Sequence, residues 1–409
     1  MTRILDVYLH QQLVGKLVQD DHGQMQFSYN SGWLSNENAV PLSHSMPLQE
    51  EPFTRNECRG FFSGILPEED KREMVAKNLG ISARNDFAML EQIGGECAGA
   101  ITFLLEGETL PTRQPDYRPL SNEDLAGVLE ILPRRPLMAG EDGIRLSLAG
   151  SQDKIAVHVK DGTISIPLGG APSTHILKPA IERFAGTVHN EAYCMTLAAA
   201  IDLPVAAVST HKVSSIEYLL VERYDRSHDE AGNVERVHQE DFCQALGIPS
   251  DMKYQSEGGV GLPQSFLLLR TVSSMPVIDL QRFLDAVIFN VLVGNNDAHG
   301  KNFSLLYQAG KVRMAPLYDV LCTAYYPELS SKMAMKVGGE YNAEMLFARH
   351  FERLANDAGL GKALVKKRVV EIADSVLEAL DSMETPHDTI ADLPEFIAKR
   401  CGTIKEQQN

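Results

Sequence analysis

The sequence lacks the long apolar runs and the targeting signals of membrane and secreted proteins. A membrane-spanning helix needs roughly 18 consecutive apolar residues, whereas the best apolar stretch, 286–293, is short and is interrupted by Asn290. The first residues do not place a basic region before an apolar one, so no signal peptide is predicted. We therefore expect a protein with no membrane partner.

Paired cysteines and an excess of positive charge are also lacking. The six cysteines are scattered without a C-x-x-C pair, which argues against a disulfide scaffold or structural zinc and fits a reducing cytosol. The twelve histidines form no H-x-x-x-H pair, so a catalytic zinc site is an unfavoured alternative. With 38 basic and 55 acidic residues the formal net charge is −17, and the chain alone is not expected to bind nucleic acid.

The 409 residues suffice for two or three domains or one large two-lobed unit. Period-two alternation over 5–9 and 25–29 predicts a small antiparallel sheet near the beginning of the chain. Helical spacing predicts helices over 69–79 and 87–93, and Ser121 with Asp124 three residues on can cap a third helix. The prolines of 133–136 end that third helical pattern, because proline cannot continue a helix. We predict an N-terminal β-rich subdomain over 1–135.

The remaining residues, 136–409, show short strands first and helices later. Strand patterns over 144–226 are joined by glycine turns, and residues 237–409 are mainly helical. Helices are predicted over 239–246, 281–293, 343–358, 363–383 and 392–400. This order favours an α+β fold with a β-rich N-terminal lobe and a mainly helical C-terminal lobe.

The loop 294–302, with the sequence GNNDAHGKN, carries the most informative spacing in the chain. Asp297 and Asn302 are five residues apart, as are the base and the metal-binding Asn of the protein-kinase catalytic loop. Asp319 follows at the end of a predicted strand pair, where a second metal-binding carboxylate would be needed. The alternative is that Asp297 and Asn302 only cap turns.

Two segments earlier in the chain could bind phosphate. Lys178 ends an apolar strand and Glu191 lies near the start of the next helix, as in the kinase ion pair that orients a phosphate-binding lysine. The segment 146–154, LSLAGSQDK, offers small and hydroxyl residues to phosphate oxygens, but it matches neither common phosphate-loop spacing. The alternative for Lys178 is an exposed lysine at the end of a strand, which is common.

Taken together, these segments resemble the HipA family of serine/threonine-protein kinase toxins from bacterial type II toxin–antitoxin modules. The segments that carry the resemblance occur in the family's order: LSLAGSQDK at 146–154, STHILKP at 173–179, NEAYC at 190–194, LVERYDR at 220–226, QEDFCQALG at 239–247, KYQSEGGVG at 253–261, GNNDAHGKNFS at 294–304 and PLYD at 316–319. The resemblance implies a bilobal protein-kinase-like fold with ATP-binding strands over 144–226 and a helical catalytic part over 237–409.

The resemblance also implies a role for each site residue, with ATP and Mg²⁺ as cofactors. Asp297 would be the catalytic proton acceptor, Asn302 and Asp319 the Mg²⁺ ligands, Lys178 the phosphate-binding lysine and Glu191 its supporting ion-pair partner. Ser147 falls where the family autophosphorylates, although Ser151 offers a second hydroxyl. The remaining residues expected around the nucleotide are Ala149, Gly150, Ser151, Gln152, Asp153, Lys154, Glu222, Arg223, Tyr224, His299, Gly300, Lys301 and Tyr318.

The function implied by the resemblance is a bacterial cytoplasmic kinase that halts growth. Its implied substrate is an aminoacyl-tRNA synthetase, typically glutamyl-tRNA synthetase. Its implied partner is a HipB-like helix-turn-helix antitoxin, through which the acidic chain would reach operator DNA. Two alternatives remain open: a small-molecule phosphotransferase with the same residues, and a non-catalytic scaffold that only sequesters the antitoxin.

Overall fold

A computed structural model describes residues 2–110 and 115–408 of the chain. The strands of these residues are β1 Arg3–Leu9, β2 Gln12–Gln19, β3 Met25–Tyr29, β4 Ile101–Leu105, β5 Asp116–Pro119, β6 Ile155–Lys160, β7 Thr163–Leu168, β8 His175–Pro179, β9 Val208–Val213, β10 Ile216–Glu222, β11 Arg226–His228, β12 Val234–Arg236, β13 His238–Asp241, β14 Ser304–Gln308, β15 Lys311–Met314, β16 Lys332–Val337 and β17 Glu340–Asn342. The α-helices are α1 Ser31–Leu34, α2 Arg55–Gly64, α3 Glu69–Leu79, α4 Asp86–Ile93, α5 Asn122–Ile131, α6 Thr187–Ala200, α7 Phe242–Ala245, α8 Leu262–Val272, α9 Pro276–Val293, α10 Ala348–Ala358, α11 Lys362–Ser382 and α12 Leu393–Glu406.

The chain divides into two compact units, each built from several stretches of sequence. The first comprises Met1–Pro179, His211–Asp251 and Leu306–Gln308, and the second comprises Ala180–Thr210, Met252–Leu305 and Ala309–Asn409. The division into 1–135 and 136–409 stays a prediction. Among the helices of the described residues, none combines the length and the apolarity that crossing a membrane requires.

The first unit begins with a four-stranded antiparallel sheet in the order β3-β2-β1-β4. Leu5, Val7 and Leu9 on β1 are at most 2% exposed, so the alternating residues do face a core, as the sequence predicts. The cap predicted at the start of α5 is also present, since Ser121 and Asp124 form a reciprocal capping box.

A second sheet of this unit has the order β5-β7-β6-β8-β10-β9. The turn between β6 and β7 contains Asp161 and Gly162, both with positive φ, as a two-residue hairpin with right-handed strand twist requires. Strand β8 is a central strand, paired antiparallel with β6 on one side and with β10 on the other. This central position fixes the backbone that carries Lys178.

The second unit is mainly helical and is built around α9. Every residue of α9 from Phe283 to Val293 is buried, because α8, α11 and α12 all pack against it. Such a helix gives the residues that follow it a rigid support. The β14–β15 hairpin turns through Ala309 and Gly310, which both have positive φ.

Some sequence predictions of local structure are wrong. The helix predicted over 239–246 is strand β13 followed by the single turn of α7, because Asp241 accepts the Gln244 backbone N–H and starts a helix only there. Leu146 lies in an isolated bridge with Glu96 rather than in a strand. Helices α2 and α8 were not predicted, although Thr54 and Glu57 form a capping box at the start of α2.

Candidate active site

The loop predicted to be catalytic begins where α9 ends at Gly294. This glycine has a φ of +80°, and its N–H bonds to the carbonyls of Asn290 and Val291, which closes the helix. A Cβ at this position would lie 3.0 Å from Ala324 Cβ and 2.9 Å from Arg400 Nε, so both the conformation and the space require glycine. The loop direction after α9 is therefore set by this residue.

Asn295 and Asn296 fix the loop through hydrogen bonds to α9 and to residues near β16. The Asn295 side chain donates to Asn290 Oδ1 at 2.7 Å, and the Asn296 side chain donates to the Ser330 carbonyl at 3.2 Å. The backbone carbonyl of Asn296 accepts the N–H of Ala334 on β16 at 2.7 Å. These hydrogen bonds hold the backbone of Asn295 and Asn296 in place, and therefore also fix the position from which the next residue, Asp297, extends.

Asp297 is the exposed residue in an otherwise buried stretch of chain. Every neighbour from 291 to 305 is buried, apart from the half-buried Ala298. The Tyr254 hydroxyl donates a hydrogen bond of 2.9 Å to Asp297 Oδ1. Asp297 is thus an accessible carboxylate that accepts a hydrogen bond from a hydroxyl group. General-base catalysis uses the same geometry.

Asn302 and Asp319, the two predicted metal ligands, lie side by side. Asn302 Nδ2 donates to Asp319 Oδ2 at 3.1 Å, and Asn302 Oδ1 accepts the backbone N–H of His299 at 3.1 Å. The second bond closes a 3-10 turn over Gly300–Asn302, in the loop that also carries Asp297. A carboxylate and an amide side by side offer the hard oxygen atoms that Mg²⁺ prefers.

Tyr318 joins the two segments that carry these side chains. Its hydroxyl donates to the Lys301 carbonyl at 2.6 Å and lies 2.7 Å from Ser304 Oγ. The adjacent Leu317 exchanges backbone hydrogen bonds with Pro204 and Ala206, which fixes 316–319 from the other side. The predicted residues His299, Lys301, Asn302, Tyr318 and Asp319 thus form one cluster in the second unit.

The backbone of Asp319 is strained. Its φ is +58°, a left-handed conformation that costs a residue with a Cβ roughly 1–2 kcal/mol relative to the right-handed form. Strained residues of this kind are concentrated at functional sites, where the surrounding structure enforces them. The bonds from Asn302 and around Leu317 supply that enforcement.

The predicted phosphate loop, 149–154, lies in the first unit and closes on itself. Lys154 Nζ donates to the Ala149 carbonyl at 2.8 Å, across the loop. Gly150 has a φ of +104°, a conformation that side chains with a Cβ rarely adopt, so the backbone here favours glycine. The Gly150 carbonyl accepts the N–H of Glu68 at 3.1 Å, which ties the loop to the segment before α3.

The Asp153 side chain faces α3 rather than the loop interior. Its carboxylate lies 2.7 Å from Lys71 Nζ, and both side chains are only about one-fifth exposed. The neighbouring Gln152 is half-buried, whereas Ser151 is exposed at the tip of the loop. The acidic group in the loop is therefore neutralised by α3 and would not repel a bound phosphate.

Ser147, the predicted autophosphorylation site, is fully buried. Its hydroxyl donates to the Ile65 carbonyl at 2.9 Å, and its N–H donates to the Glu96 carbonyl at 2.9 Å. A kinase acting in this conformation could not reach the hydroxyl. Phosphorylation of Ser147 requires segment 146–150 to leave its site between Ile65 and Glu96.

Lys178 and Glu191 each occupy well-defined places in their own units. Lys178 pairs with Leu219 across the β8–β10 ladder and is 5% exposed. Glu191 lies on the second turn of α6 and is 3% exposed. Charged residues as buried as these are held in one position, because desolvation makes every unpaired arrangement costly.

Glu222, Arg223 and Tyr224, which the resemblance places around the nucleotide, differ in their surroundings. Glu222 is exposed at the end of β10, and the Tyr224 hydroxyl donates to Gln239 Oε1. The Arg223 guanidinium is 2% exposed and donates to Asp225, Ser173 and the Cys97 carbonyl. Its side chain is therefore used within the first unit.

Arg223 belongs to a buried network of charges. Burial alone would raise the pKa of Glu96, but Arg226, Arg236 and Arg223 outweigh it and lower that pKa to about 2. The same kind of competition holds the pKa of Asp225 well below its usual range. Both carboxylates are ionised at neutral pH, and the network fixes the backbone of 223–226.

In each unit, one contact of a predicted site residue involves a residue that no sequence pattern assigns to a site. Tyr254 precedes Asp297 by 43 residues, and neither periodicity nor spacing connects the two. Lys71 is one of several charged residues of α3, and nothing in the sequence distinguishes it from them. Only an aromatic hydroxyl in a glycine-rich loop, KYQSEGGVG, could have drawn attention to Tyr254.

Comparison with protein families gives two matches that together span most of the chain. The family model for the HipA N-terminal domain matches residues 5–104. The model for the HipA-like C-terminal domain matches residues 146–383, which is more than half of the chain. The second match includes every site residue described above from Ser147 to Asp319.

Individual relatives agree with these matches. A protein of Sinorhizobium fredii named as a candidate kinase, Y4mE, is 48% identical over 92% of this chain and 91% of its own length. The serine/threonine-protein kinase toxin HipA of Shewanella oneidensis is 30% identical over 93% of this chain and 89% of its own length.

A solved structure confirms the fold. The complex of HipA, HipB and operator DNA from the toxin–antitoxin system of Shewanella oneidensis contains a chain with a TM-score of 0.84 and 27% identity, covering 99% of this chain and 100% of that one. The predicted α+β, protein-kinase-like fold is confirmed. This chain belongs to the HipA family.

Proposed function

We propose that the protein is an ATP- and Mg²⁺-dependent serine/threonine protein kinase. The observation that carries this proposal is the exposed carboxylate of Asp297, which accepts a hydrogen bond of 2.9 Å from the Tyr254 hydroxyl. Asp297 lies in the same loop as Asn302, which contacts Asp319. A phosphoryl-transfer enzyme needs this combination, because it must deprotonate an attacking hydroxyl near a metal-bound phosphate. Membership of a family with a named kinase toxin supports the same reaction.

The residues of the second unit fit a magnesium ion. Asn302 would supply an amide oxygen and Asp319 a carboxylate oxygen. The two side chains are adjacent, since Asn302 Nδ2 lies 3.1 Å from Asp319 Oδ2. A bound Mg²⁺ would neutralise charge on the phosphate groups during transfer. Asp297 would orient the attacking hydroxyl and accept its proton. The Tyr318 bonds to Lys301 and Ser304 would keep Asp319 aligned with Asn302.

The residues of the first unit fit the phosphate groups of ATP. The loop 149–154 carries small residues and the exposed Ser151 hydroxyl, while its one carboxylate is paired with Lys71. Lys178 would contribute a positive charge. Glu222 and Tyr224 would contact the adenine, and Arg223 would act only by holding their backbone.

We further propose that the kinase is the toxin of a toxin–antitoxin module. The Shewanella relative is named as a toxin, and its structure was solved with HipB and operator DNA. By analogy, this chain would bind a HipB-like helix-turn-helix antitoxin and would reach DNA through it, because its own charge is −17. The proposed substrate is an aminoacyl-tRNA synthetase, with glutamyl-tRNA synthetase as the first to test.

Autophosphorylation at Ser147 would switch the kinase off. A phosphate adds about −1.5 to −2 charges at neutral pH, and the pocket between Ile65 and Glu96 that encloses Ser147 cannot hold such a group. The segment 146–150 would stay outside that pocket, and the adjoining phosphate loop would lose its anchors. ATP binding would then weaken.

Mass spectrometry and labelling with ATP test the proposed reaction. We expect the intact mass of the purified protein to rise by whole phosphate groups with Mg·ATP, and to stay constant for Asp297→Ala. Asp381→Ala, which changes an exposed aspartate near the end of α11, serves as the matched control and should behave as wild type. With labelled ATP and cell lysate we expect a labelled protein band of the substrate.

Other outcomes would point elsewhere. A labelled metabolite without a labelled protein would replace the protein kinase by a small-molecule phosphotransferase. An Asp297→Ala protein that still arrests growth in cells would indicate sequestration of the antitoxin rather than catalysis. Equal mass gain in wild type and Asp297→Ala would remove Asp297 from the reaction.

A further inference from the structure

The segment 253–261 places one tyrosine hydroxyl on the carboxylate that we identify as the catalytic base. Tyr254 OH donates to Asp297 Oδ1 at 2.9 Å. The proton that a general base removes must lie on an atom within about 2.6–3.2 Å of that base, so the tyrosine oxygen meets the distance requirement for an acceptor hydroxyl. No other role in the proposed reaction has been given to this side chain.

The backbone around Tyr254 is well ordered by its own bonds. The Tyr254 carbonyl accepts the N–H groups of Glu257 and Gly259, at 3.0 and 2.9 Å. Gln255 Oε1 accepts the N–H of Lys336 on β16 at 2.7 Å, which ties the segment to a strand. A Cβ on Gly259 would lie 2.3 Å from the Met252 carbonyl oxygen, so the close turn depends on glycine.

The aromatic ring is also held in place beside the catalytic loop. It packs edge-on against His299, with ring centres 5.5 Å apart, and Lys253 Nζ lies 5.3 Å from its centre. The side chain remains only half-buried. A tyrosine side chain is longer than a serine side chain, so the hydroxyl of most tyrosines cannot reach the correct position in a site shaped for serine. The length of Tyr254 is no obstacle, because its hydroxyl is already hydrogen-bonded to Asp297.

We propose that Tyr254 is a self-phosphorylation site, modified within the same molecule by the centre of Asp297. The proposal rests on the proposed kinase function. The phenolic oxygen attacks the γ-phosphorus of the nucleoside triphosphate and forms a new O–P bond. The bond from that phosphorus to the bridging β,γ-oxygen breaks, ADP leaves, and the phenolic proton passes to Asp297.

Phosphorylation of Tyr254 would change the surroundings of Asp297, the proposed catalytic base. A phosphotyrosine brings about −1.5 to −2 charges to a position next to the Asp297 carboxylate. Repulsion between the two groups would move Tyr254 away and break its bond to Oδ1. The neighbouring Lys253, already close to the ring, could then pair with the phosphate.

Tandem mass spectrometry of the full chain tests the proposal. After incubation with Mg·ATP we expect phosphotyrosine at 254 in wild type and its complete loss in Asp297→Ala and Tyr254→Phe. Tyr325 provides a control within the same digest, because its hydroxyl also donates to an aspartate, Asp392, but not to the proposed base. It should stay unmodified. The rate constant should not change on tenfold dilution, because the attack is intramolecular.

The proposal and the kinase function can fail separately. If the protein phosphorylates Ser147 or a protein substrate while Tyr254 stays unmodified, self-phosphorylation at Tyr254 is wrong and the kinase function stands. If no phosphate is transferred to any acceptor, both are wrong. A rate that rises in proportion to protein concentration, or equal modification of Tyr325, would also overturn the proposal.

Discussion

Lys71 of α3 forms an ion pair of 2.7 Å with Asp153 of the proposed phosphate loop. The pair lies beside two other connections between the same two segments: the bond from Glu68 N–H to the Gly150 carbonyl and the bond from Ser147 to the Ile65 carbonyl. Three contacts between 65–71 and 147–153 hold the loop in the conformation seen here. The loop that would bind ATP is thus positioned by a segment preceding it by about 80 residues in sequence.

We predict that Lys71→Met weakens ATP binding. An ion pair this close to the surface contributes up to about 1 kcal/mol, and loss of that amount would raise the Kd for ATP about fivefold. Calorimetric titration with Mg·ATP measures the change. Lys16→Met is the matched control, because it removes another lysine–carboxylate contact of the same unit, that with Glu106.

Charge reversal separates the ion pair from a general effect on folding. Lys71→Asp alone should weaken binding more than Lys71→Met, because it places two carboxylates together. Adding Asp153→Lys should recover part of the loss. If the double variant binds ATP no better than Lys71→Asp, the loop is not held by this pair.

Substitutions at Ser147 should separate the cost of burying charge from the cost of losing a hydroxyl. Ser147→Ala removes one hydrogen bond and should lower the free energy of unfolding by about 1 kcal/mol, with ATP binding retained. Ser147→Asp buries an unpaired carboxylate, which should cost about 3 kcal/mol if the segment stays in place. We therefore expect the segment to leave and ATP binding to be lost.

Urea unfolding and nucleotide titration check both variants. Ser151→Asp is the control, since Ser151 is exposed at the loop tip and its substitution creates no buried charge. Equal loss of ATP binding in Ser147→Asp and Ser147→Ala would contradict the proposed switch. The same would be true if Ser147→Asp bound ATP as wild type does.

Elements with a strong local signal were predicted well from the sequence. Helix α3 occupies the predicted residues 69–79, and the Ser121–Asp124 cap starts α5 as expected. The region 239–246 was predicted wrongly, because contacts with residues distant in sequence determine that it forms a strand and a single helical turn. Glu240, for example, bonds to Ser43 and Tyr307, and neither contact leaves a periodic signal.

The candidate site shows the same division. Asp297 and Asn302 follow a known spacing, and Asp319 follows a predicted strand pair. The structure places Asn302 and Asp319 in contact. Tyr254 contacts Asp297 and Lys71 contacts Asp153 from segments distant in sequence, where one residue out of many makes the contact. A single sequence contains the order of residues but not the tertiary contacts, so positioning residues of this kind remain hidden.

Glu240 should make the stability of the first unit depend on pH. Burial raises the pKa of Glu240 from 4.5 to about 7, although bonds from Ser43, Tyr307 and the His44 backbone N–H lower it in part. Because the folded-state pKa is raised, the protonated form is favoured by folding. The stabilisation is fully present below pH 4.5 and is lost as the pH rises through about 7.

The Glu240→Gln variant removes this dependence. Between pH 5 and pH 8 we expect wild type to lose about 2–3 kcal/mol relative to the variant, since one pKa unit corresponds to about 1.4 kcal/mol. Comparison with the variant is needed because burial lowers the pKa of His238 to about 4, which acts in the opposite direction as the pH falls from 6.5. Parallel stability curves for the two proteins would show that Glu240 does not titrate in this range.

Asp319 should show a conflict between stability and function. Its positive φ is costly for any residue with a Cβ, so Asp319→Ala keeps the strain and loses the bond to Asn302. Asp319→Gly loses the same bond but relieves the strain, which outweighs the extra entropy of glycine in the unfolded chain. We expect the glycine variant to exceed the alanine variant by about 1 kcal/mol in free energy of unfolding.

Both variants should nevertheless lose phosphoryl transfer, because neither supplies a carboxylate to the cation. Asp319→Asn, which tolerates the left-handed conformation and keeps one oxygen, should retain stability near wild type but bind Mg²⁺ weakly. Thermal unfolding and Mg²⁺ titration of the transfer rate distinguish the three. Phosphoryl transfer by the glycine variant would mean that Asp319 is not a metal ligand. Equal stability of the glycine and alanine variants would mean that backbone strain does not determine the stability at this residue and that the surrounding hydrogen bonds do.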